Sequence, residues 1–152
     1  MLMTEPSTDR LTIGWCEWLA LPEFGLGCVK AKIDTAHDAS KLYAVEVRSI
    51  TVEANPWVRF KVFPIHRDFQ VSLEAEAPLV GERTFRSPAG GKERRPVIRT
   101  LLTLGKVTWM GELALVGHDT DGFHLLIGRQ AIRQRFVVDP ARSFVAGPPA
   151  VN

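Results

Sequence analysis

The chain has 152 residues, of which 45% are apolar and 24% charged, and 19 Lys and Arg against 17 Asp and Glu leave a formal charge of +2. That length suits one domain burying roughly 68–70% of its unfolded surface, and the composition excludes a disordered or fibrous chain. The charge is too small to specify a partner.

The opening M-L-M-T-E-P-S-T-D-R has no apolar run behind a basic region, so no signal peptide is expected. No segment approaches the roughly 20 apolar residues of a membrane span. A cytoplasmic protein without a membrane partner is the expectation. Residues 1–152 read as a single domain, with 1–9 and 147–152 (G-P-P-A-V-N) as loose ends.

In chain order, strands are predicted for L-T-I-G-W-C-E-W-L-A-L, C-V-K-A-K-I, L-Y-A-V-E-V-R-S-I-T-V and W-V-R-F-K-V-F, where apolar and polar residues alternate. Breaks fall at P-E-F-G-L-G, T-A-H-D-A-S-K and E-A-N-P. The second half continues with F-Q-V-S-L-E-A, R-P-V-I-R-T-L-L-T-L, a turn at Gly105-Lys106, and V-T-W-M-G-E-L-A-L-V. One short helical pattern appears in R-Q-A-I-R-Q-R-F, where Ala131, Ile132 and Phe136 recur at helical spacing behind Gly128. F-V-V-D and S-F-V-A read as terminal strands. The prediction is therefore an all-β, barrel-like fold with one short C-terminal helix.

Cys16 and Cys28 read as reduced structural thiols, since a domain of this size needs no disulfide and neither has an activating base nearby in sequence. The basic run G-G-K-E-R-R is interrupted by Glu93 and lacks interleaved Phe or Tyr, so a solvated loop is favoured over a nucleic-acid site. Trp15, Trp18, Trp57 and Trp109 stand in alternating strands and read as core or interface residues.

The chemistry concentrates in two stretches. K-A-K-I-D-T-A-H runs a strand into Asp34-Thr35, and H-L-L-I-G-R-Q-A-I runs an apolar strand into Gly128-Arg129 and the helix. An aspartate ending a strand is usually a turn former, but an early strand-Asp-Thr followed late by strand-Gly-Arg-helix is an ordered pair.

At these residues the sequence resembles the retropepsin-like aspartic peptidases, most closely a bacterial branch that carries the label ATP-dependent zinc protease. The resemblance extends from I-G-W-C-E-W-L-A-L-P-E-F-G-L through K-A-K-I-D-T, P-W-V-R-F-K-V, E-A-P-L-V-G-E-R, R-P-V-I-R-T and L-L-I-G-R-Q-A-I to R-F-V-V-D-P-A-R-S-F. It implies a closed acid-protease barrel and a homodimer in which each chain gives one catalytic aspartate. Asp34 matches that aspartate, and Thr35 the threonine whose hydroxyl braces the two active-site loops. Ala36 stands where the family has glycine. Leu126, Ile127 and Gly128 match the apolar-apolar-Gly strand behind the catalytic loop. Asp38 and Arg129 match a pair that ties loop to helix in retroviral proteases, the alternative being two solvated charges. Residues 83 to 97, with Ser87, Gly90 and Gly91 at a small-residue tip, resemble the substrate-covering flap, the alternative being a surface hairpin without a substrate role.

The resemblance implies hydrolysis of peptide or protein substrates by a water between two aspartates. It also implies a setting near ATP-grasp ligases that add amino acids to proteins or peptides, with a trimming role. The alternative is a non-catalytic dimeric peptide-binding module, because Ala36 replaces the glycine. No cofactor or metal is expected: G-G-K-E is not a phosphate-cradling G-x-x-x-x-G-K-[ST] loop, and His37, His66, His118 and His124 lack zinc-ligand spacing. H-D-T-D-G at 118–122 reads as a turn in preference to a metal loop.

Overall fold

The computed structural model describes residues 10–87 and 89–149. Eleven strands are formed: β1 Leu11–Gly14, β2 Cys16–Leu21, β3 Leu26–Ile33, β4 Ser40–Tyr43, β5 Val45–Val52, β6 Asn55–Val62, β7 Leu73–Arg86, β8 Lys92–Leu104, β9 Val107–Val116, β10 Leu125–Ile127 and β11 Phe136–Asp139. Among the described residues the one α-helix, α1, covers Arg129–Ile132, and a 3-10 turn covers Pro22–Phe24.

Strands are hydrogen-bonded in the order β2-β3-β10-β4-β9-β8, and β2 pairs again with β8 through Leu19↔Leu104 and Ala20↔Thr103. That last pairing closes a six-stranded barrel, so β2 is not left as a sheet edge. From β8 the sheet continues outward through β7, β6 and β5. Inward positions carry Leu19, Ala31, Leu42, Leu102, Leu104, Leu113, Leu115, Leu125 and Ile127, all buried. The alternation seen in the sequence thus has its physical counterpart: one face fills the barrel, the other meets solvent or a second layer.

Local chemistry sets the boundaries. The run read as one strand from 11 to 21 is divided at Trp15, whose N–H donates to the Arg142 carbonyl (2.9 Å) while its own carbonyl accepts from Ile33 (2.8 Å). Gly14 is required there, because a Cβ would collide with the Arg142 carbonyl. The run from 42 to 52 is divided at Ala44, and Glu46 at φ 51° lies within a register shift of the β5–β6 pairing. The helix is shorter than its pattern. It ends at Ile132, and Phe136 packs from β11, edge-on to Trp109.

Two expected strand stretches are not strands: 69–72 precedes β7 as irregular backbone, and S-F-V-A at 143–146 is held by hydrogen bonds to side chains and carbonyls. The tail follows the buried Glu17, which accepts from the backbone N–H of Gly14 (2.6 Å), Val145 (2.9 Å) and Ala146 (3.1 Å). A buried carboxylate is tolerated when several donors surround it. Pro149 is buried; residues 1–9 and 150–152 of the expected loose ends lie outside the described residues.

The cysteines are free. Register explains it: Cys16 faces Lys32 and Leu19 faces Val29, so Cys16 and Cys28 are about four residues apart along the β2–β3 ladder, roughly 13 Å, too far to bridge. Burial pushes the Cys16 thiol up, which keeps it protonated and inert.

Candidate active site

Asp34 follows β3 directly. β3 and β10 run parallel with Ile33 beside Ile127, and the Asp34 N–H extends that ladder by donating to the Ile127 carbonyl (2.8 Å). The buried apolar triplet Leu125-Leu126-Ile127 therefore fixes where the loop leaves the barrel.

The Asp34 side chain is 13% exposed, and both its oxygens are engaged. Oδ1 accepts the Ala36 N–H at 3.1 Å, a local Asx turn, and Oδ2 lies 2.9 Å from His37 Nδ1. His37 itself is exposed, at 65% of its side chain. Ala36 is outside the left-handed φ region, so its methyl group does not strain the turn. Thr35 and Ala36 are both exposed.

The loop is strapped to the start of α1. Arg129 donates from one guanidinium nitrogen to the Thr35 carbonyl (3.1 Å) and from another to the Asp38 carboxylate (2.8 Å). Its backbone N–H donates to the His37 carbonyl (2.8 Å), and that of Gln130 to the Asp38 carbonyl (3.2 Å). Ser40 Oγ, buried at the start of β4, accepts the Gly128 N–H at 2.9 Å. A Cβ at Gly128 would lie 2.5 Å from both the Asp38 and the Ala39 carbonyl oxygens. Glycine is thus the one residue that lets the two loops approach this closely.

Residues 83–97 form an antiparallel hairpin of β7 and β8, paired from Arg83↔Arg95 to Arg86↔Lys92. At its tip the Ser87 N–H donates to the Gly91 carbonyl and the Gly90 N–H to the Ser87 carbonyl, both at 3.0 Å. Gly90 and Gly91 take φ of 93° and 79°, which side-chain-bearing residues rarely adopt. Lys41 Nζ lies 4.6 Å from the Phe85 ring centroid, joining the hairpin arm to β4, the strand that leaves the Asp34 loop.

Asp34, Asp38, Gly128 and Arg129 are therefore one hydrogen-bonded assembly. Ser87, Gly90 and Gly91 stand apart from it at the hairpin tip. Sequence reasoning did not assign His37 or Ser40. The D-x-x-H spacing across a turn was the available signal for His37, and nothing in the sequence marks Ser40.

The family model described as RimB-like, retropepsin-like aspartic endopeptidase RimB, matches residues 12–149. The chain belongs to this family. Two curated relatives named probable alpha-L-glutamate ligase are similar to the chain, from Shewanella pealeana at 36% identity over 141 residues and from Desulfotalea psychrophila at 35% over 135 residues. These matches take in 93% and 89% of this chain but 31% and 29% of the relatives. The chain spans about a third of their length. A solved structure from Legionella pneumophila, the protein Lpg0085 of unknown function, superposes with a TM-score of 0.77 at 27% identity, covering 91% of this chain and 99% of that one. The RimB-like assignment fits the closed barrel.

Proposed function

We propose that the chain is half of a homodimeric aspartic endopeptidase, each protomer contributing Asp34. The observation that carries this reading is the construction around Asp34: a largely buried carboxylate held by Ala36 N–H on a loop fixed by Arg129, Asp38 and Ser40. Precise placement of one acid per chain is what a two-fold site needs.

In the dimer, two carboxylates at about 3 Å share one proton, because both cannot ionise cheaply so close together. The ionised member takes a proton from a water as it attacks the scissile carbonyl carbon, and the protonated member donates to the carbonyl oxygen. Collapse of the tetrahedral intermediate breaks the C–N bond and returns the proton to the leaving amine. His37, exposed and free to swing, leaves Oδ2 of Asp34 as the partner protomer's aspartate arrives. The β7–β8 hairpin closes over the substrate, with Ser87, Gly90 and Gly91 presenting backbone to it.

The glutamate-ligase names of the relatives support a substrate class, peptides or proteins extended with glutamate, which the protein trims. The hairpin arms carry Arg83, Arg86, Lys92, Arg94 and Arg95 against Glu82, which pairs with Arg94, and Glu93, and this net positive charge suits such an acidic chain. One observation favours the second reading, a peptide-binding dimer without turnover: His37 occupies an oxygen that catalysis requires.

The test is incubation with a peptide ending in several α-linked glutamates and with its glutamine counterpart, read by mass spectrometry. Shortened products from the glutamate peptide support trimming. Retention of the peptide on the protein without any product supports the binding module.

A further inference from the structure

A cavity of about 370 Å³ lies between β8, β9, the start of β4 and α1, and neither Asp34 nor Thr35 nor Ala36 lines it. Its volume falls within the range of small-ligand sites. Three guanidinium groups line it: Arg83 from the hairpin arm, Arg99 from β8 and Arg135 beyond α1. The one lining carboxylate, Glu112, is bonded to Arg99 at 3.3 Å. Among the described residues, neither Arg83 nor Arg135 has a carboxylate within ion-pair distance.

Trp109 supplies an aromatic wall of the cavity. Trp109 lines it and is 8% exposed, and its indole N–H is buried with no hydrogen-bond partner among the described residues. Arg135 lies over the indole ring, 5.3 Å from its centroid. Gly111 lies beside that indole edge, where a Cβ would come within 3.2 Å of Nε1. Because Arg135 stacks on this indole, an anion that engages Arg135 alters the surroundings of the Trp109 ring.

We propose that this cavity binds a carboxylate-rich peptide segment, held by Arg83 and Arg135, with Trp109 beneath Arg135 as part of its wall. Planar guanidinium groups pair with carboxylates through two parallel N–H donors, which favours an acidic side chain over a neutral amide of the same shape. The cavity joins the hairpin arm to the strap of the Asp34 loop, since Ala39, Ser40 and Gln130 form its other wall. It therefore holds an acidic segment outside the Asp34 groove. Only the source of that segment, a glutamate-extended substrate, rests on the proposed function.

The test uses tri-glutamate as the probe and ¹⁵N indole N–H signals as the readout, on the Asp34→Asn protein so that no cleavage intervenes. Trp109→Phe identifies the Trp109 signal. Tri-glutamate should shift that signal saturably and tri-glutamine should not, and in Arg83→Gln/Arg135→Gln the affinity should fall by about fivefold or more. Arg135→Lys, which keeps the charge and loses the fork, should fall between. A Trp109 signal unmoved by tri-glutamate, or equal affinity in the folded double variant, overturns the proposal. Cleavage by the wild type is scored separately. Cleavage without the Trp109 response removes this site and spares the peptidase reading, and the response without cleavage does the reverse.

Discussion

His37 Nδ1 lies 2.9 Å from Asp34 Oδ2, so the exposed imidazole covers one oxygen of the largely buried carboxylate. Because the His37 ring is mostly solvent-exposed, such a pair contributes at most about 1 kcal/mol. In the proposed dimer, exchanging this contact for the aspartate of a second protomer is therefore inexpensive. His37→Asn should leave thermal stability within about 1 kcal/mol and cleavage within several-fold of wild type. A loss beyond a hundredfold, measured as kcat/KM, would make His37 part of the chemistry.

Arg129 spans two acceptors that a point charge cannot span in the same way, the Thr35 carbonyl and the Asp38 carboxylate. Both side chains of the ion pair are about half exposed, so its effect on stability should stay near 1 kcal/mol. Its effect on catalysis should be larger, because the strap positions Asp34. Arg129→Gln should lower kcat/KM by about tenfold or more with a small change in Tm, and Arg129→Lys should recover part of it. Unchanged kcat/KM and dimer mass in Arg129→Gln would remove the strap from the account.

Glu17 joins residues 128 and 129 positions away in sequence, holding Val145 and Ala146 against the barrel. Glu17→Ala strands three N–H donors, that of Gly14 buried and those of Val145 and Ala146 part-buried. It should cost roughly 1–3 kcal/mol, the range for leaving a buried donor unsatisfied. Urea unfolding measures it, and a cost under about 1 kcal/mol would show that the tail holds itself.

His66 supplies a pH dependence of stability. Burial holds its imidazole below the ordinary value, reinforced by Lys30, Arg67 and His124 and opposed by Asp119. The unfolded chain therefore binds the proton first as pH falls. Stability from the neutral ring is fully present above the ordinary value of about 6.5 and is lost as pH falls through the lower folded value. Tm should drop more between pH 7 and pH 5 in the wild type than in His66→Gln. Equal drops would show that His66 does not titrate with folding.

Much of this was legible in the sequence, for physical reasons specific to each part. Alternation identified the barrel strands because one face of each fills the core, as in β3, where Val29, Ala31 and Ile33 are buried. Asp34, Gly128 and Arg129 could be related before any coordinates because a strand ending in each leads into a loop or a helix. Asp38 and Arg129 do meet. What could not be read depended on distant partners. Glu17 looks like an outward polar residue in C-E-W-L-A-L, and its burial is explained only by the tail that folds over it. The S-F-V-A stretch has strand composition, but its N–H groups go to Glu17 and to the Cys16 carbonyl instead of a ladder. Phe136 has helical spacing from Ile132, but the parallel pairing Leu11↔Phe136 places it in β11.

The most direct test of one Asp34 per chain is to mix wild-type protein with Asp34→Asn at fixed wild-type concentration and to follow cleavage of a peptide library by mass spectrometry. With free exchange at equal amounts, about a quarter of the dimers keep two aspartates, so wild-type activity should fall to about half. Activity that stays at the wild-type level as Asp34→Asn is added, together with products that persist in Asp34→Asn alone, would contradict the shared two-aspartate site.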